Sequence, residues 1–174
     1  MISSLFNHFI RFVLLLLLQV WVINNIRLYG LFHPQVYPLF LLLLPIESPA
    51  LVLLLIGFAA GFTVDFFTHT GALHASALLV TALLRPYVLR LLRPAGGYQP
   101  EDRPTVAGMG FMWFFTYAAL LLFVHHTWLF IMETFSLYQL LFVIGKIVLS
   151  TAAALAIALI MQYLFFSKSK PRLA

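Results

Sequence analysis

An all-α membrane protein, a compact bundle of six transmembrane helices with a short second one, is the fold class this sequence predicts. Three observations carry it. Hydrophobic residues make up 63% of the 174 and charged residues only 9%. The mean hydropathy is +1.04. Apolar runs of membrane length recur between polar or proline-rich breaks. Soluble domains lie far from this composition. Since each span needs roughly 20 apolar residues, residues 1–174 have room for one transmembrane domain and for no soluble domain of useful size. The absence of cysteine excludes disulfides, thiolate catalysis and Cys-based metal sites. The net charge of +5 is read as loop anchoring at a lipid bilayer, and no nucleic-acid partner is expected.

The first run, FIRFVLLLLLQVWVINNIRLYG, covers about residues 9 to 30 and is long enough to span. No small-residue cleavage site follows its leucines and further spans come after it, so a retained helix is expected in place of a signal peptide. The second run is hemmed in by Pro34, Pro38, Pro45 and Pro49. About eleven residues between the turns give roughly 17 Å of helix against about 30 Å of hydrocarbon, which means a short, broken span or a re-entrant one. A third helix is expected from Pro49 to about Thr70, and a fourth from about Ala72 through LHASALLVTALLRPYVLRLL. Their connection is so short that they must form an antiparallel hairpin, with Gly71 permitting the reversal. Residues 93–107, RPAGGYQPEDRPTVA, form a polar loop. The fifth helix is expected over about 108–132 and the sixth over about 137–166, followed by the basic tail 167–174.

Positive residues orient the bundle. Arg85, Arg90, Arg93 and Arg103 mark the loop after the fourth helix, and Lys168, Lys170 and Arg172 mark the tail, so both are expected to be cytoplasmic. Arg11 and Arg27 exchange sides according to whether the second segment spans, so charge does not choose between five and six spans. In either case the third helix runs outward and Asp65 lies in its outer half.

Gly57, Gly61 and Asp65, spaced four apart, share one helix face. The glycines allow close helix approach, while Phe58, Phe62 and Phe66 read as packing or lipid-facing bulk. An ionised carboxylate at bilayer depth costs about 2.5 to 3.5 kcal/mol and needs a partner. Lys146, at similar depth in the sixth helix, is the expected one. The alternative is a metal or relay cluster, because Asp65, His69, His74, His125 and His126 map to the same outer half, though histidines near helix ends also suit the interface. Arg85 reads as a cytoplasmic anchor beside Arg90 and Arg93, or as part of a docking surface for an acidic partner. Trp113, Trp128, Tyr117, Tyr138 and Tyr163 fit aromatic belts in part. Gly145, Ser150, Ala152, Ala153, Ala154, Ala156 and Ala158 make the sixth helix small-surfaced. There is no phosphate loop, no intramembrane carboxylate pair and no nucleophile elbow, so no enzyme, cofactor or metal is expected.

With those residues in view, the chain resembles the rod shape-determining protein MreD family. The likeness lies in GFAAGFTVDFFTHTGALHA at residues 57–75, in the compact multi-span layout, and in LLRPYVLRLL before a polar loop. As motif it covers about residues 45–93. The resemblance implies six spans with both termini cytoplasmic in the bacterial inner membrane, and a bundle similar to the substrate-binding subunits of energy-coupling-factor vitamin transporters. It implies a non-catalytic partner in the elongation machinery for lateral-wall peptidoglycan, binding MreC directly. MreB, RodA and its penicillin-binding transpeptidase would be reached through the complex. Gly57, Gly61, Asp65, Gly71 and His74 would be the family-pattern positions, setting the packing of the bundle or its seam with MreC. A second reading from another class is a small-molecule-binding membrane subunit of a vitamin or metal transporter, with Asp65, Lys146 and the outer-half histidines holding a polar ligand.

Overall fold

The computed structural model describes residues 10, 12–23, 32–134 and 140–165. Arg11, Arg27, Tyr138, Lys168, Lys170 and Arg172 lie outside the described residues. Those residues contain seven helices and no β-strand: α1 (Phe12–Val22), α2 (Pro38–Leu42), α3 (Ala50–Thr68), α4 (Leu73–Leu91), α5 (Val106–Met109), α6 (Phe111–Thr134) and α7 (Leu140–Phe165). By length and composition α3, α6 and α7 can each cross a membrane.

Their buried faces follow the helical period. On α6 the inward residues are Phe114, Tyr117, Ala118, Leu121, Leu122, His125, His126, Leu129 and Phe130, a stripe advancing by three and four. On α7 they are Val143, Lys146, Ile147, Ser150, Thr151, Ala154, Leu155, Ala158 and Gln162. The small residues of this helix are therefore divided: Ser150, Ala154 and Ala158 pack inward, whereas Ala152 and Ala156 are exposed. The small-surface expectation holds for one face of α7 only. Phe58, Phe62 and Phe66 are exposed, and Phe58 stacks on Phe62 with ring centroids 5.9 Å apart.

α3 and α4 form the hairpin expected from the short connection and are packed along their length. Its turn uses three left-handed residues, His69 (φ 56°), Gly71 (φ 59°) and Ala72 (φ 71°), so the reversal does not rest on Gly71 alone. At the other end of α4, the loop leads into α5, whose start is capped by the Thr105 hydroxyl accepting from the Gly108 amide at 3.1 Å. Gly110, at φ 89°, then separates α5 from α6.

The second apolar run is the main departure from regular structure. Its helix is α2 alone, five residues or about 7.5 Å of rise. Pro38 opens it at the first turn, where a missing N–H is tolerated. Residues 33–36 before it have no regular structure. Yet residues 34–39 and 41–44 are all buried, and residues between Val36 and Leu44 belong to both large apolar clusters of the core. This segment is a strap through the middle of the bundle.

Candidate functional site

An interrupted helix leaves amides and carbonyls without intrahelical partners, and in an apolar interior each orphan costs several kcal/mol unless something else bonds it. The strap's orphans are met by polar side chains from four surrounding helices. Gln19, in the wide π-type turn of α1 at Leu18–Val22, clamps it twice: Oε1 accepts from the Val36 amide at 2.7 Å and Nε2 donates to the Pro34 carbonyl at 3.2 Å. Ser150 Oγ accepts from the His33 amide at 3.0 Å. His126 Nε2 accepts from the Gln35 amide at 3.0 Å, and its Nδ1 lies 2.7 Å from the Leu122 carbonyl, so Nδ1 carries the hydrogen. Tyr117 donates to the Leu42 carbonyl at 3.0 Å. Arg85 donates through Nη2 to the carbonyls of Leu44 at 2.5 Å and Pro45 at 3.2 Å, and through Nε to the Tyr117 oxygen at 2.8 Å.

The centre of this seam is Tyr37. Its hydroxyl lies 2.8 Å from His74 Nδ1 and 2.8 Å from His125 Nε2. A phenol has one hydrogen to give, and the neighbouring bonds decide where it goes. Thr81 donates to the Ala77 carbonyl at 2.7 Å, so toward His125 Nδ1, 3.3 Å away, its oxygen accepts. For neutral imidazoles, His125 then holds its hydrogen on Nδ1, Tyr37 donates to His125 Nε2, and His74 Nδ1 donates to Tyr37.

Asp65 belongs to a second arrangement beside it. The N-cap of α4 is Ala72, which has no side-chain acceptor to offer. Asp65 supplies the cap from the neighbouring helix: Oδ1 accepts from the His74 amide at 3.0 Å and the Thr70 hydroxyl at 2.6 Å, and Oδ2 accepts from the Ala75 amide at 2.8 Å. A carboxylate at a helix N-terminus also faces the favourable end of the helix dipole. Gly61 makes this reach possible, because a Cβ there would collide with the backbone of His74 and Ala75. Gly57 sits in looser contact with Leu78 and Ala82.

Three expectations are corrected by this geometry. Lys146 does not pair with Asp65; it binds Glu133 at 2.7 Å and lies 4.3 Å from the Phe130 ring centroid, because Asp65 is already saturated by the end of α4. Arg85 is no surface anchor: it is fully buried, drawn inward by the carbonyls that the prolines free. His125, His126 and Tyr117 are not on the surface of the bundle; all three are fully buried on the inward stripe of α6. His69, by contrast, is exposed in the turn, and among the described residues no three His, Asp or Glu side chains gather as a metal site.

Two further arginines lie where the sequence puts them, near the end of α4. Arg90 and Arg93 are exposed, Arg90 stacking 5.0 Å from the Tyr87 ring centroid. With Arg85, Ser48 and Tyr98 they line a cleft of about 260 Å³. The Tyr98 hydroxyl donates to the Leu89 carbonyl at 2.7 Å and Trp113 Nε1 donates to the Leu92 carbonyl at 2.9 Å, tying the 93–107 loop and α6 to the end of α4. Burial pushes the Tyr98 phenol above its ordinary pKa, so it remains a hydroxyl at neutral pH.

Sequence reasoning does not single out Gln19, Tyr117 and Ser150 as partners of the strap, nor Tyr37 and Thr81 as partners of the buried histidines. The signal for Gln19 was present: one amide in LLLLLQVWV demands a partner for the same reason that Asp65 does. No family model, no curated protein and no solved structure matches the chain.

Proposed function

We propose that the chain is a non-catalytic membrane scaffold: a partner subunit of the bacterial rod complex that supports cell shape and lateral peptidoglycan synthesis by binding MreC. MreB, RodA and its penicillin-binding transpeptidase are reached through that complex. The observation that carries this reading is how the buried polar groups are used. Asp65, Gln19, Ser150, His126, Tyr117 and Arg85 all bond to the chain's own backbone. Side chains placed this way fix a shape, which is what a scaffold offers a partner. The likeness of residues 57–75 to the MreD pattern supplies the identity of that partner.

In this reading the protein lies in the bacterial cytoplasmic membrane, with six crossings, both termini cytoplasmic, and a bundle similar to that of energy-coupling-factor substrate-binding subunits. The strap is the second crossing, with the short helix α2 at its centre and irregular backbone on both sides of it. Its contacts support this, since Gln35, Tyr37 and Leu42 meet His126, His125 and Tyr117 in turn. Nine residues of α6 are passed, about 14 Å of depth. The exposed Phe58, Phe62, Phe66 and Phe67 give α3 an apolar outer face for lipid or for the membrane helix of MreC.

The test is affinity purification in mild detergent. Co-isolation of an MreC-like bitopic protein is the expected result. Recovery of an ATPase-coupled transporter module alone would overturn the reading and favour the small-molecule-binding subunit. Depletion should also cost the cell its rod shape.

A further inference from the structure

The cleft at the end of α4 joins two kinds of lining. Ile46, Leu53, Pro86 and Leu89 give it apolar lining, and Arg85, Arg90 and Arg93 bring three positive charges to it. Arg85 is the unusual member. It is fully buried, its bonds go to neutral oxygens, and its Nη1 has no hydrogen-bond partner among the described residues. A buried cation compensated only by dipoles favours an anion nearby. Arg90 lies in the last turn of α4 and Arg93 just past its end, at the start of the polar loop, at the level where the headgroups of a bilayer would begin.

We propose that this cleft is a binding site for the phosphate of an anionic membrane phospholipid, with the diester at Arg90 and Arg93, over the buried charge of Arg85, and the glycerol end against Ile46, Leu53 and Leu89. The apolar lining favours an amphiphile over a free anion. The size agrees: about 260 Å³ falls below the roughly 300–1,000 Å³ of sites for drug-sized ligands and suits a headgroup whose chains remain in lipid. Basic pockets between transmembrane helices are where such headgroups are held. The proposal needs the chain to lie in a bilayer but not to serve the rod complex, so its failure and that of the scaffold reading are separable.

The experiment is native mass spectrometry of the purified full-length protein released from detergent, with phosphatidylglycerol or phosphatidylcholine of identical chains added. The expected result is one phosphatidylglycerol retained per chain under activation that strips phosphatidylcholine. In Arg90→Gln/Arg93→Gln that retention should fall at least tenfold, while Arg103→Gln/Lys170→Gln, which removes equal charge from the polar loop and the basic tail, keeps it. Because Arg85 also supports the fold, it is left intact. Equal retention of the two lipids, or equal loss in both double variants, would overturn the site. Displacement by millimolar inorganic phosphate would overturn the lipid as its ligand in favour of a free anion.

Discussion

Gly57, Gly61 and Gly71 are the same residue type in three physical situations, and their alanine variants should separate accordingly. At Gly61 the new methyl would run into the backbone of the neighbouring helix, which cannot yield without parting α3 from α4, so Gly61→Ala is expected to prevent accumulation of folded protein. At Gly71 there is open space, but the left-handed conformation costs a β-carbon about 1–2 kcal/mol. At Gly57 the methyl makes ordinary contact and should be nearly neutral. Thermal unfolding in detergent should rank the variants in that order, and a Gly57→Ala defect as severe as that of Gly61→Ala would contradict the close-approach argument. Asp65→Ala uncaps two amides of α4 and should lower the melting temperature by roughly 2–8 °C, corresponding to a cap of about 1–2 kcal/mol. Asp65→Asn, retaining one acceptor oxygen, should lose less. In cells, Asp65→Ala is expected to insert and yet fail to restore rod shape.

The strap and the helices around it depend on one another, so removing a side chain of the seam should loosen backbone some distance away in sequence. Gln19→Leu keeps the bulk of α1 but strips the Val36 amide and the Pro34 carbonyl of their partners, an expected loss of about 1–3 kcal/mol. Hydrogen exchange should show protection falling at Val36 while the amides of α3 and α4 keep theirs. Uniform loss across the bundle would mean that Gln19 supports the whole fold and not the strap. Tyr117→Phe, which removes the donor to Leu42 and the acceptor for Arg85, should show the same local pattern at the α2 end. Much of this was legible beforehand: the prolines announced a broken segment, and the stripe Gly57, Gly61, Asp65 announced a tight helix contact. The partners were not. Asp65 is answered by amides of the next helix, and a backbone amide has no signature in a sequence, whereas a cation such as Lys146 does. The histidines suit an interface by their nearness to a helix end and Tyr117 by its type, although the three-four spacing they share with Leu121, Leu122 and Leu129 points inward.

Whether the chain crosses six times is decided by where its two ends lie, because an unwound second crossing and a re-entrant one place the amino terminus on opposite sides. The chain has no cysteine, so each one introduced is a unique reporter. In sealed vesicles of known orientation, an impermeant maleimide should find Asn7→Cys, Gln99→Cys and Ser167→Cys on one side and His69→Cys on the other. If the strap turned back within the membrane, Asn7→Cys would label with His69→Cys while Gln99→Cys and Ser167→Cys stayed together. Gln35 is held at the level of His126 and Leu44 at the level of Arg85, and α6 and α4 run in opposite directions between those levels, so the strap descends beside both without reversing. The energetic requirement is equally definite: backbone without helical bonds is tolerated at bilayer depth only where protein surrounds it. Here four helices supply Gln19, His126, Ser150, Tyr117 and Arg85 for that purpose. Removing Gln19 should therefore leave the sidedness of all four reporters unchanged while raising the exchange rate between them. A change of sidedness in Gln19→Leu would show instead that the seam sets the topology of the bundle and not merely its rigidity.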